Sequence, residues 1–140
     1  MRDIIFRGKR LDNGEWLYGD LMQCGFHVHI CDHDKTPDPD FDFSQSEVNP
    51  DTVGQYTGHT DRVGNKIFEG DLLEYCSGVD SFGAVWQTVR VEYRAIEGGY
   101  VGINEYRNTR DGRELVSNIL RCLNKCIVRG NIHDKEGGEQ

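Results

Sequence analysis

The sequence predicts a mainly β protein, built of small twisted antiparallel sheets or a small barrel, with one short helix near residues 112–123. Three observations carry this. The 17 glycines are spread among short apolar runs, which reads as frequent turns. Residues 84–95 alternate, with Val85, Gln87, Val89, Val91 and Tyr93 on one side and Trp86, Thr88, Arg90, Glu92 and Arg94 on the other. Period two over that length is a half-buried strand. After Asp111-Gly112, Leu115, Val116, Ile119, Leu120, Cys122, Leu123 and Cys126 fall at three- and four-residue spacings, the helical pattern.

The remaining elements follow in order. Residues 3–7 form a first strand, and Asn13-Gly14 is a strong hairpin signal before the returning strand from Glu15 to Met22. Phe26 to Cys31 is the next strand. It runs into an acidic loop, Asp32 to Asp42, whose Pro37 and Pro39 keep it out of a sheet interior. Residues 48–60 read as turn, strand and turn, and Asp61 to Asn65 as a tight turn. Lys66 to Tyr75 is strand, turn and strand. Gly98-Gly99 closes a hairpin onto Tyr100 to Tyr106, and Cys126 to Ile132 is a closing strand. A single domain over 1–134 is expected, with room for two β subdomains of about 1–47 and 48–134 and a frayed tail at 135–140.

A Gly-Asp or Gly-Asn pair recurs before an aliphatic residue at Gly19-Asp20-Leu21, Gly70-Asp71-Leu72 and Gly130-Asn131-Ile132. Reused turn chemistry explains it more simply than duplication does, since glycine permits a positive φ and a short polar side chain bonds the turn backbone.

Composition narrows the function. The net charge of −8 repels nucleic acid at long range, with the acid excess in residues 1–80. Arg107, Arg110, Arg113, Arg121, Lys125 and Arg129 nonetheless could line a basic strip. No run approaches the roughly 18 apolar residues that span a bilayer, and the N-terminus does not read as a signal peptide. A cytoplasmic protein with no membrane partner is expected, its five cysteines free thiols. Phosphate-loop, nucleophile-elbow and dinucleotide fingerprints are missing, so an enzyme is not the favoured reading.

Two sets of residues remain as candidate sites. Cys24, His27, His29, Cys31 and His33 place five potential ligands in ten residues, and 27, 29, 31 and 33 share one face of a strand, where His-x-His can chelate zinc. The simpler alternative is a surface strand that carries histidines, with no cofactor. Gln55, Tyr56, Thr57 and His59 form a polar and aromatic set where a binding surface would be sought first. Backbone satisfaction of a glycine-rich turn is the competing role. Asp20 and Asp71 sit in Gly-Asp-Leu turns, where a carboxylate bonds backbone.

The segment Thr52-Val53-Gly54-Gln55-Tyr56-Thr57-Gly58-His59-Thr60-Asp61-Arg62-Val63-Gly64-Asn65-Lys66-Ile67-Phe68-Glu69-Gly70-Asp71-Leu72-Leu73-Glu74-Tyr75 resembles the signature of the YopX family of small phage and prophage proteins. Ile4 to Gly8, Gly14 to Leu21 and Ile127 to Asp134 resemble its opening and ending. His59 departs from the usual aliphatic residue, and residues 23–47 match nothing in the pattern. The resemblance implies a single β-rich domain, a phage or prophage origin, the cytoplasm of a bacterial host, and no catalytic residues to carry over. Lys66 to Tyr75 also resembles the Gly-Asp strand entry of SH3-like barrels. The favoured reading is a non-enzymatic accessory protein that self-associates as a homo-oligomer or binds a phage or host protein. A small nucleic-acid-binding barrel and a metal protein or enzyme using the His/Cys strand are the alternatives.

Overall fold

The computed structural model describes residues 3–32, 43–108, 110–118, 123 and 125–134. The chain divides into two compact units, 1–56 and 57–140.

The first unit holds β1 (Phe6–Lys9), β2 (Trp16–Cys24), β3 (His27–Cys31), β4 (Glu47–Val48) and the start of β5 (Gly54–Thr60). Its strands lie in the order β4-β3-β2-β1-β5 and pair antiparallel. Asn13-Gly14 closes the first hairpin, where Gly14 takes a φ of 74° and the Asn13 side chain accepts the Glu15 amide at 2.9 Å. Val28, Ile30 and Val48 form the core, with Phe6, Leu17, Leu21 and Val53 packed on it. Gly19 is required where it stands: at φ 155°, an added Cβ would lie 2.1 Å from the Cys31 carbonyl oxygen.

The second unit holds the end of β5, β6 (Lys66–Phe68), β7 (Asp71–Asp80), β8 (Gly83–Arg94), β9 (Gly99–Asn108), β10 (Glu114–Asn118) and β11 (Ile127–Asn131). The last five form an antiparallel sheet in the order β10-β9-β8-β7-β11. Its core comprises Ile67, Leu73, Val89, Val91 and Cys126, flanked by Tyr75, Tyr100, Leu123 and Val128. Val89 and Val91 are the buried members of the alternation expected over 84–95. Ile103 of β9 is also fully buried.

Two expectations are corrected. The helix near 112–123 gives way to strand β10 over Glu114–Asn118, which pairs with β9 through Val116↔Ile103 and Asn118↔Val101. Residues 119–122, with Ile119, Leu120 and Cys122, lie outside the described residues, as does 124. No closed barrel forms: among the described residues β10 and β11 stand at opposite ends of an open sheet. The acidic loop over 33–42 and the tail over 135–140 likewise lie outside the description.

The three Gly-Asp/Asn echoes occupy different structures. Gly19 is inside a strand, Gly70 is in the turn before β7, and Gly130 sits in β11 beside a register shift. They share residue types and not a fold unit.

Candidate functional site

The signature segment is held by two buried carboxylates. Asp61 is 5% exposed, and its Oδ1 accepts the amides of Val63 at 3.0 Å and Asn65 at 2.8 Å. Its Oδ2 accepts Asn65 Nδ2 at 3.2 Å and the Val128 amide at 3.0 Å. The carboxylate therefore closes its own turn and ties that turn to β11. Burial alone would raise its pKa. The Val128, Asn65 and Val63 amides and the Asn65 side chain outweigh that and hold it below the usual carboxylate range. Asp71, 1% exposed, accepts the Phe68 amide at 2.8 Å. Between them Gly70, at φ 87°, donates to the Val91 carbonyl and accepts the Ile132 amide, each at 2.8 Å. Thus Asp71 takes the backbone role expected of it.

The residues expected to form a binding surface divide. Gln55 is half-buried and Tyr56 is 7% exposed, both in the first unit. Thr57, in the second unit, is buried; its Oγ1 donates to the Ile67 carbonyl at 2.8 Å and accepts the His59 amide at 3.2 Å. His59 is half-buried and lines two neighbouring grooves. One, of about 380 Å³, is shared with Glu97, Tyr100, Ser117 and Asn118. The other, of about 460 Å³, is shared with Gly58, Thr60, Asp61, Arg62 and Leu123.

The histidine and cysteine strand is tied to its neighbours. His27 Nδ1 lies 2.6 Å from Glu47 Oε2, and His29 Nδ1 lies 2.9 Å from Ser46 Oγ. His29 also meets the Phe43 ring edge-on at 5.8 Å. Cys31 is fully buried and burial pushes its thiol pKa up, whereas Cys24 is exposed. Among the described residues no three His, Cys, Asp or Glu side chains are grouped to hold a metal ion. His33 lies outside the description. Members of the basic set are engaged as well: Arg129 Nε donates to Glu74 at 3.2 Å, Arg113 pairs with Asp111, and Lys125 Nζ sits 5.8 Å from the Tyr75 ring centroid. The Arg107 side chain and Arg121 lie outside the described residues.

A further feature stands out that sequence reasoning did not select. Pairing of β8 with β9 starts at Val89↔Asn104, and pairing of β11 with β7 ends at Ile127↔Glu74. Among the described residues, the β7–β8 hairpin beyond those pairs is a two-stranded ribbon, from Tyr75↔Gln87 to Asp80↔Gly83. The cross-strand pairs Cys76/Trp86 and Val79/Ala84 share one face, since directly opposed residues project to the same side. Val79 is 79% exposed, Trp86 57%, and Phe82 in the connecting turn 97%. Asp80 is the one charged residue from Tyr75 to Val89. The signal for this arm was present as Val79, Phe82 and Trp86 in a stretch with a single charge, but only the structure shows that they stand exposed.

Antiparallel sheets in two units, with Asp61 and Asp71 bonded into turns and an exposed apolar arm, make this a small, mainly β protein. The chain belongs to the YopX protein family, whose sequence model matches residues 5–136. No curated protein matches it. Among the described residues no helix is long and apolar enough to cross a membrane.

Proposed function

We propose that the protein is a non-enzymatic interaction module, a phage or prophage accessory factor of the bacterial cytoplasm that docks through its β7–β8 arm. The supporting observation is the exposure of Val79, Phe82 and Trp86 on a projecting ribbon almost free of charge. A contiguous apolar patch left in water is costly, and such patches mark surfaces meant to be covered. An isolated two-stranded ribbon is also marginal alone and gains from a third strand or a packed face.

A photo-crosslinking residue in place of Phe82 tests this in producing cells, with Leu11, exposed in the first unit, as the control position. Discrete adducts from position 82 and none from position 11 are expected. Position 82 yielding no adduct above that of the control would overturn the proposal.

A further inference from the structure

We infer that Asn13-Gly14, in the loop joining β1 to β2, is a site of self-modification. In the folded chain the Gly14 backbone nitrogen attacks the Asn13 carboxamide and converts it to aspartyl and isoaspartyl products. The site belongs to the first unit and does not depend on what docks at the arm.

The loop sets up the electrophile. Asn13 is exposed, and its Oδ1 accepts the Glu15 amide at 2.9 Å. That bond draws electron density from the carboxamide carbon and stabilises the negative charge that grows on Oδ1 as a nucleophile adds. The nucleophile is the next backbone nitrogen. Gly14 is exposed at φ 74°, and a Cβ built on it would meet nothing within 4 Å, so no side chain obstructs a change in its dihedrals. Its amide donates to the Arg10 carbonyl at 3.0 Å. Releasing one such bond in an exposed loop slows the attack by roughly tenfold or less, the equivalent of its net strength.

Hydroxide takes the Gly14 amide proton, and the nitrogen bonds to Asn13 Cγ. The Cγ–Nδ2 bond then breaks. Nδ2 takes a proton from water and leaves as ammonia, which closes a five-membered imide. Water opens that ring at either carbonyl. Opening at Cγ gives aspartate, and opening at the main-chain carbonyl gives isoaspartate, with the chain routed through the former side chain. In sum one water is consumed and one ammonia released. Isoaspartate lengthens the loop by one backbone carbon between Arg10 and Glu15, whose amide-to-carbonyl bond at 2.8 Å closes it beside the Lys9↔Trp16 pair.

Selectivity follows from the neighbours. Of the eight asparagines, only Asn13 precedes a glycine. Asn49 accepts the Asp51 amide at 3.0 Å in the same way, but Pro50 follows it and has no N–H to lose. Asn65 and Asn131 have Nδ2 tied to Asp61 at 3.2 Å and to Asp134 at 2.8 Å. Asp111-Gly112 cyclises only from the neutral acid, and the Asp111 carboxylate is paired with Arg113.

The test holds the purified full chain at mildly alkaline pH, beside the same chain in guanidinium chloride. Ion exchange follows the one added negative charge, and peptide mass spectrometry locates it. Asn13 should convert before any other asparagine, with isoaspartate among the products, at a rate proportional to hydroxide and within about tenfold of that in denaturant. Asn13→Gln, which would have to close a six-membered ring, should stay unmodified at that position. A folded-chain rate more than about tenfold below that in denaturant would overturn the inference, as would earlier conversion of another asparagine or conversion of Asn13→Gln at the wild-type rate.

Discussion

Leu73 and Val79 lie on the same strand and face opposite situations. Leu73 is fully buried beside Val89 and Ile67, while Val79 is 79% exposed on the free part of the ribbon. The base of the hairpin is flanked by β9 and β11 and reinforced through Asp61, whose carboxylate holds the β11 amide of Val128. Among the described residues that support stops beyond Tyr75 and Gln87, apart from the Asn104 side-chain amide donating to Gln87 at 2.9 Å. One hairpin thus contains both a part that the fold needs and a part that the fold merely carries. The contrast teaches that hydrophobicity alone does not mark the core. What separates the two halves is how many neighbouring strands each has.

Removing the carboxylate that anchors the base is expected to have the largest effect. Asp61→Ala removes the acceptor of the partly exposed amides of Val63, Asn65 and Val128. At about 1.5–3 kcal/mol for each hydrogen bond to a charged group, with relief from water at these partly exposed amides, a loss of roughly 4 kcal/mol is expected in urea unfolding. Leu73→Ala follows, at about 3 kcal/mol, through lost burial and an incompletely filled cavity. The third effect is smaller and depends on pH. Because the folded-state pKa of Asp61 is depressed, its ionised form contributes stability above the unfolded value of about 3.9, and that contribution is lost as pH falls through the folded value. The stability difference between wild type and Asp61→Asn should therefore be greatest near about pH 7 and shrink towards about pH 3. A difference that holds constant across that range would show that the carboxylate is not the tie.

Much of the base was legible in sequence because its signals are local. The alternation over 84–95 identifies β8, Asn13-Gly14 identifies the first hairpin, and Gly64 and Gly70 fall in the turns expected over 61–65 and within 66–75, at φ 95° and 87°, whereas Gly58 lies inside β5. Other parts depend on distant partners. Leu115 and Val116 fit a helix as well as a strand, because a short apolar run does not distinguish them, and pairing with β9 decides for the strand. The Asp61 turn was legible, but its bond to Val128, which joins residues far apart in the chain, was not. The second strand of the strand-turn-strand expected over Lys66 to Tyr75 runs further than that, as the ladder to β8 carries β7 on to Asp80. Of the candidate site, Thr57 proved to be a backbone tie and His59 a groove residue. The two look alike in composition and differ only in what lies around them.

The smallest expected change in stability is at the tip of the arm, and it is the sharpest test of the comparison. Phe82 is 97% exposed, so replacing it by aspartate removes almost no packing from the isolated chain. Substitutions at such positions usually shift unfolding by no more than about 0.5 kcal/mol in either direction. Under dilute conditions Phe82→Asp should therefore unfold with wild-type midpoint and slope, while Leu73→Ala on the same hairpin does not. If Phe82→Asp instead loses several kcal/mol in the dilute chain, the tip is part of the folded core and the division of this hairpin into base and arm is wrong.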